Sequence, residues 1–285
     1  MRSLMNKGLR SVNNFTDKPR KLFIDLPAYF QWYLRESRRL IKFKDCHRGQ
    51  SCFIIGNGPS LNQMDLLPLN NYVTFGLNKI YLIFEKVDLK LTYQVAVNPL
   101  VIQQSTQELK KLKCDLFVAI NPSYKLIRRQ NNIYKILTRK PIFNRIFGGG
   151  ELFFQENISK STCEGFTVTY VAMQIAFYMG FSTIYLIGVD HNFFAKGKPN
   201  EQQRLIGADL NHFSYNYFGD QDWNLPDLEA SEAAYRLAKK YFEQAGRKIY
   251  DATVDGKLTI FPKISYEEAL SACQRSQAAV SASDS

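Results

Sequence analysis

The run Gly56-Asn57-Gly58-Pro59-Ser60-Leu61 concentrates the residue types that a phosphate-binding turn needs. Gly56 and Gly58 permit tight turning and close approach of the backbone to a ligand. Pro59 and Ser60 then open a short helix, whose unpaired N–H groups favour an anion. The apolar run 52–56 leads straight into the turn, so a phosphate cradle is expected at the first strand-to-helix junction. An ordinary glycine-rich turn would have the same composition. Asn78 and Asn98 fall at the ends of the next two apolar runs, the edge at which α/β sheets bind ligands. An amide offers both a donor and an acceptor, so the two asparagines suit an uncharged nucleoside. A dinucleotide fingerprint would place a third glycine at Leu61 and an acid near Asn78, so NAD is disfavoured. The P-loop lysine signature is absent.

A second group of reactive side chains lies downstream. Asp190 ends the apolar run 183–189 and is followed by His191. Its carboxylate can hold a substrate hydroxyl, hold a metal, or cap its own loop. His212, one of three histidines, lies in a segment rich in aromatics and is the preferred general base, with simple packing as the alternative. Tyr215 and Tyr217 can donate hydrogen bonds to a departing phosphate, or merely pack. Asp220-Gln221-Asp222 has the spacing of a divalent-metal motif, so Asp190, Asp220 and Asp222 are the metal candidates if the chemistry needs one.

These residues must be positioned by a sheet. The runs 52–56, 72–76, 91–97, 115–120 and 183–189 read as strands; continuous apolarity, rather than alternation, implies cover on both faces. Helices are expected over 99–112, 166–179 and 226–245, the last opening on Asp227 and Glu229 and closing at Gly246. Alternating strands and helices predict an α/β fold: a single Rossmann-like, doubly wound, mainly parallel sheet. Residues 121–160 carry no assignment, and 192–225 is expected to form a long aromatic lid loop.

The chain of 285 residues has a net charge of +11. Residues 1–50 hold twelve Lys and Arg against four acids, so most of the surplus belongs to the N-terminal stretch. A helix over 25–44 would set Leu26, Tyr29, Phe30, Tyr33, Leu40 and Ile41 beside Arg35, Arg38, Arg39 and Lys42, a pattern suited to an anionic membrane surface or to the core. The expected organisation is a basic extension over 1–48, a nucleotide-binding catalytic domain over 49–270 and a fraying tail over 271–285. Five scattered cysteines, and the lack of a signal-like or membrane-spanning apolar run, predict a cytoplasmic protein, peripheral at the inner membrane face if the basic helix binds lipid. Nucleic acid is a poor fit, because the basic residues gather at one end without a recognised motif. Oligomerisation stays open.

The GNGPSL turn, the Asn78 and Asn98 strand ends, the 167–179 helix and the YLIGVD strand, in that order, resemble two related groups. One is the bacterial single-domain sialyltransferases. The other is the 6-hydroxymethylpterin diphosphokinase-like (MptE-like) family, which includes proteins linked to flagellin glycosylation. The first resemblance implies that Gly56, Asn57, Gly58 and Ser60 cradle CMP, that Asn78 and Asn98 touch the nucleotide, and that Thr167 and Thr169 lie near the donor. It implies sugar transfer from a CMP-activated donor to a glycan acceptor, with a histidine base, tyrosines easing phosphate departure and no cofactor. The second implies diphosphate transfer from ATP to a hydroxymethyl heterocycle, with magnesium. A non-catalytic nucleotide-binding module is the third reading.

Overall fold

A computed structural model describes residues 30–140, 142–144, 149–193, 197–204 and 207–283. Leu26, Pro27 and Tyr29 of the expected first helix lie outside them. Seven strands form one sheet: β1 Ser51–Ile55, β2 Val73–Leu77, β3 Tyr93–Ala96, β4 Asp115–Ala119, β5 Ile133–Ile136, β6 Thr183–Ile187 and β7 Lys248–Asp251. Their order is β7-β6-β1-β2-β3-β4-β5, and every neighbouring pair is parallel. The fold is α/β, with helices on both faces.

The apolar runs are apolar because both sides are covered. All five residues of β1 are buried. Cys52 and Ile54 face a core shared with helix α1, Val168–Met179. Phe53 and Ile55 face the opposite core, with Leu61, Ile80, Tyr266 and Cys273. Eleven of the twelve residues of α1 are buried, which explains why it carries no charged residue. Helix α2, Leu228–Gln244, packs beside α1, its buried row Ala234, Tyr235, Ala238 and Phe242 keeping helical spacing. Asp227 caps it by accepting from Ala230 N at 3.0 Å, and Gly246, at φ 71°, follows its C-terminal end.

Because β2 follows on one side of β1 and β6 on the other, the connections leaving β1 and β6 diverge. The switch point of the sheet therefore lies between β1 and β6, whose carboxyl ends are the usual ligand position of such sheets.

Several expectations needed correction. The unassigned stretch 121–160 contains β5, which forms the sheet edge. The expected helix 99–112 is two short helices, Pro99–Gln104 and Thr106–Lys111, broken at Ser105. The stretch from Ser271 is helical: helix α3, Tyr266–Ser283, runs into it and buries Cys273. The N-terminal helical run 30–43 is not a separate appendage either. It passes through Trp32–Glu36 in π geometry, Ser37–Leu40 in α and Ile41–Phe43 in 3₁₀ geometry. Trp32, Leu40 and Phe43 enter the main core, and Trp32 Nε1 donates to Lys135 O on β5 at 2.7 Å. Trp32→Ala is therefore expected to cost about 3–5 kcal/mol, the range for deleting a buried aromatic. Urea unfolding monitored by circular dichroism measures it, and a loss below about 1 kcal/mol would show that the run is not part of the core.

Candidate active site

The turn after β1 and the turn after β6 are built into one another. Gly56 N donates to Ile187 O and Gly58 N to Gly188 O, both at 2.8 Å. A Cβ on Gly56 would lie 2.2 Å from Gly188 O, and one on Gly58 would lie 1.7 Å from Asp190 Oδ2. Glycine is needed here for close approach rather than for an unusual φ. The short 3₁₀ helix Pro59–Gln63 follows, and its first free amide already has an anion. Asp190 accepts from Ser60 N at 3.0 Å and from Ser60 Oγ at 2.8 Å. The amides of Gly56, Gly58 and Ser60, expected to hold a donor phosphate, thus hold the β6 turn and the Asp190 carboxylate. Burial raises the carboxyl pKa of Asp190 above its ordinary value, with the Ser60 hydrogen bonds opposing that rise.

His191 follows with φ 53° and pairs its Nε2 with Glu232 Oε1 of α2 at 3.0 Å, so it belongs to packing between the turn and α2. Asn78 and Phe166 also have positive φ, at 48° and 64°. Three side-chain-bearing residues in this sparsely occupied region stand at loop entries on one edge of the sheet, a pattern typical of functional sites.

The amides at this edge are arranged as acceptors. Asn57 Nδ2 donates to Leu77 O at 3.0 Å, and Gln94 Nε2 donates to Asn78 O at 2.8 Å. These bonds fix which end of each amide is the oxygen. Asn57 Oδ1 and Asn78 Oδ1 are buried atoms without a partner at this edge; Gln94 Oε1 is also without one but lies inside the sheet over Gly76, beside Leu91 and Ile80. Unmet buried acceptors call for a donor from water or ligand. Asn98 differs: its Oδ1 accepts from Leu100 N and Val101 N, so that oxygen caps a helix. Thr167 caps α1 through Thr169 N and lies 3.4 Å from the Tyr235 hydroxyl.

The segment beyond β6 lies over the same edge. Phe213 N donates to Asn57 O at 3.0 Å, and Asn62 Nδ2 donates to Phe213 O at 2.9 Å. His212 therefore sits next to the turn after β1. Its Nδ1 is 2.8 Å from Asp209 Oδ2, and the two side chains are 12% and 1% exposed. The imidazole stacks on Tyr217 at 3.9 Å with a 4° interplanar angle. A buried carboxylate on Nδ1 fixes that nitrogen as the proton carrier and leaves Nε2 as the basic atom.

Tyr217 is buried, and its hydroxyl accepts from Lys79 N at 3.3 Å. Tyr215 is 72% exposed. Of the DQD run, Gln221 Oε1 reaches Lys79 Nζ at 2.9 Å. Asp222 bonds Gln202 in a ribbon of 202–204 with 222–224, and Asp220 O accepts from Arg204. The run gives the site an amide, while the Asp222 carboxylate and the Asp220 backbone carbonyl bond the ribbon. Among the described residues, no three His, Cys, Asp or Glu side chains are grouped to hold a metal.

A family model described as 6-hydroxymethylpterin diphosphokinase MptE-like matches residues 28–195, more than half of the chain. The chain belongs to the MptE-like family. No curated protein and no solved structure matches it. The MptE-like match takes in β1 to β6, the glycine turn, Asn78, Asp190 and His191 and stops before Asp209 and His212.

Two site residues of this MptE-like protein escape a reading of the sequence. Asp209 stands three residues before His212, a spacing that becomes informative only once the segment folds back. Lys79 directly follows Asn78. Its Nζ donates to Tyr217 O at 3.1 Å as well as to Gln221. It is buried, and desolvation lowers its pKa from 10.5 to about 8, with Glu108 and Asp209 opposing the shift.

A lowered folded-state pKa means that the unfolded chain binds the Lys79 proton more tightly. The Lys79 contribution to stability is thus fully present above 10.5 and is lost as pH falls through about 8. The difference in Tm between wild type and Lys79→Met should grow in favour of wild type from pH 8 to pH 10. A difference that stayed flat across a melting series would show that Lys79 titrates as a solvated lysine.

Proposed function

We propose that this protein transfers a sugar from a nucleotide-activated donor of CMP type to a glycan hydroxyl. The family is named for a diphosphokinase, itself a transferase, which supports transfer chemistry in general. The observation that carries the finer reading is the Asp209–His212 pair: a buried carboxylate on Nδ1, and an Nε2 held beside the turn after β1. In this reading Nε2 takes the proton of the acceptor hydroxyl, and the hydroxyl oxygen attacks the anomeric carbon. The bond from that carbon to the phosphate oxygen breaks, and the phosphate leaves with the electron pair. Asn57 and Asn78 meet the amino and hydroxyl groups of the nucleoside, with Thr167 and Thr169 near the donor. Asp190, oriented by Ser60, accepts from a donor hydroxyl. Exposed Tyr215 is available to the departing phosphate.

The second reading, diphosphate transfer from ATP to a hydroxymethylpterin-like molecule, is favoured by the family match. Magnesium would supply charge neutralisation there, and Asp190 is the candidate carboxylate at the switch point of the sheet. Magnesium needs few protein ligands when phosphates supply the rest, so the residues present are compatible with it. The same His212 would then deprotonate the hydroxymethyl group.

A melting series with CMP, ADP, ATP and NAD, each with and without magnesium, separates the two. CMP is expected to raise Tm most, by about 5 °C at a hundredfold excess over Kd for a chain of this size. A shift seen solely with ATP plus magnesium would reject sugar transfer from CMP. His212→Ala should then remove turnover, on the order of 10²–10⁴-fold, with CMP binding retained. Full activity in that variant would exclude His212 as the base.

A further inference from the structure

The helical run 30–43 buries one side and leaves the other bare. Trp32, Leu40 and Phe43 face the core, whereas Tyr33, Leu34 and Ile41 are 56, 54 and 56% exposed. Phe30, at 60%, continues the row. Positions 30, 34, 38 and 41 form one helical stripe, with Arg38 between the apolar residues. Arg35, Lys42 and Lys44 are exposed beside it. The turn before β5 adjoins the run, because Arg39 Nη2 donates to Gln130 O and Asn131 O at 2.9 Å. That turn adds exposed Arg128 and Arg129. The one acid between 30 and 43 is Glu36, which is buried and ion-paired with Arg39 at 3.0 Å and Arg129 at 3.7 Å. The face is therefore an apolar row flanked by positive charge from the run itself and from the adjoining turn.

We propose that this face rests on an anionic lipid bilayer. The apolar row enters the boundary between headgroups and acyl chains, and the basic side chains meet lipid phosphates. Charge selects this occupant over the alternatives. A second copy would set the same positive charge against itself, and residues 1–29 carry six Lys and Arg against two acids, so both repel the face. Contact is peripheral, since no helix of the described residues is long and apolar enough to cross a membrane. The inference is independent of the reaction proposed above.

The test is co-sedimentation of the full chain with phosphatidylcholine vesicles, with and without roughly one third phosphatidylglycerol, at about 0.15 M salt. Binding is expected with the anionic vesicles and should fall steeply with salt. Arg35→Gln with Arg38→Gln should weaken it about fivefold per charge. Tyr33→Ser, Leu34→Ser and Ile41→Ser together should abolish it while leaving the Tm unchanged, because the three side chains are exposed. Equal binding to neutral vesicles, wild-type binding by the triple variant, or no binding would overturn the proposal. So would a concentration-dependent dimer that the triple variant abolishes.

Discussion

Two glycine turns, one after β1 and one after β6, meet with no space for a side chain between them. Gly56 lies against Gly188 O, Gly58 against Asp190, and a Cβ on Gly188 would come within 2.7 Å of Leu61 Cδ2. The paired register of the two strands, Ile55 opposite Ile187, therefore continues past the strand ends as backbone hydrogen bonds between the turns. That contact delivers Asp190 to Ser60. A half-buried carboxylate is costly unless hydrogen-bonded, and Ser60 supplies both an amide and a hydroxyl. The result is a charged group held in one orientation at the switch point of the sheet.

The second half of the site depends on the first. The segment carrying His212 is bonded to Asn57 O and to Asn62, both on the connection that the glycine turn shapes. Its aromatics form a scaffold rather than a loose cover: His212 on Tyr217, and Phe218 on Trp223 at 4.9 Å. Asp209 accepts from Asn211 N as well as from His212, so its burial is supported on both oxygens. Lys79 closes the arrangement from β2 by bonding Tyr217 and Gln221. Imidazole orientation thus rests on backbone and ring contacts, which a general base needs in order to meet a hydroxyl at hydrogen-bonding distance.

The sheet was legible where a strand is buried on both faces, because a short unbroken apolar run such as 52–56 or 183–187 must shed water from both sides of the chain. It was not legible at β5 and β7. Ile133-Tyr134-Lys135-Ile136 is short and carries a lysine, and the N-terminal run that covers it is remote in sequence. Lys248-Ile249-Tyr250-Asp251 is an edge strand with charged ends. The glycine turn was legible as a site of close backbone approach. That the approaching group is Asp190 was not, since 130 residues separate it from Ser60. Asp209 and Lys79 are single charged residues whose neighbours in sequence say nothing of what they touch.

The hydrogen-bonding character of the edge narrows the ligand further than the motif does. Asn57 Oδ1 is an acceptor whose amide end is fixed by donation to Leu77 O, Asn78 Oδ1 lies close by, and Asp190 adds a carboxylate. Nε2 of His212 accepts when Nδ1 carries the proton toward Asp209. The backbone donors that a bare phosphate would want are engaged within the two turns. An edge so rich in acceptors suits groups that donate: ribose and sugar hydroxyls, and the amino group of a base. The glycine motif thus serves first to hold Asp190 in place, and in the sugar-transfer reading proposed above selectivity would act through the nucleoside and the sugar, with the donor phosphate outside the turn.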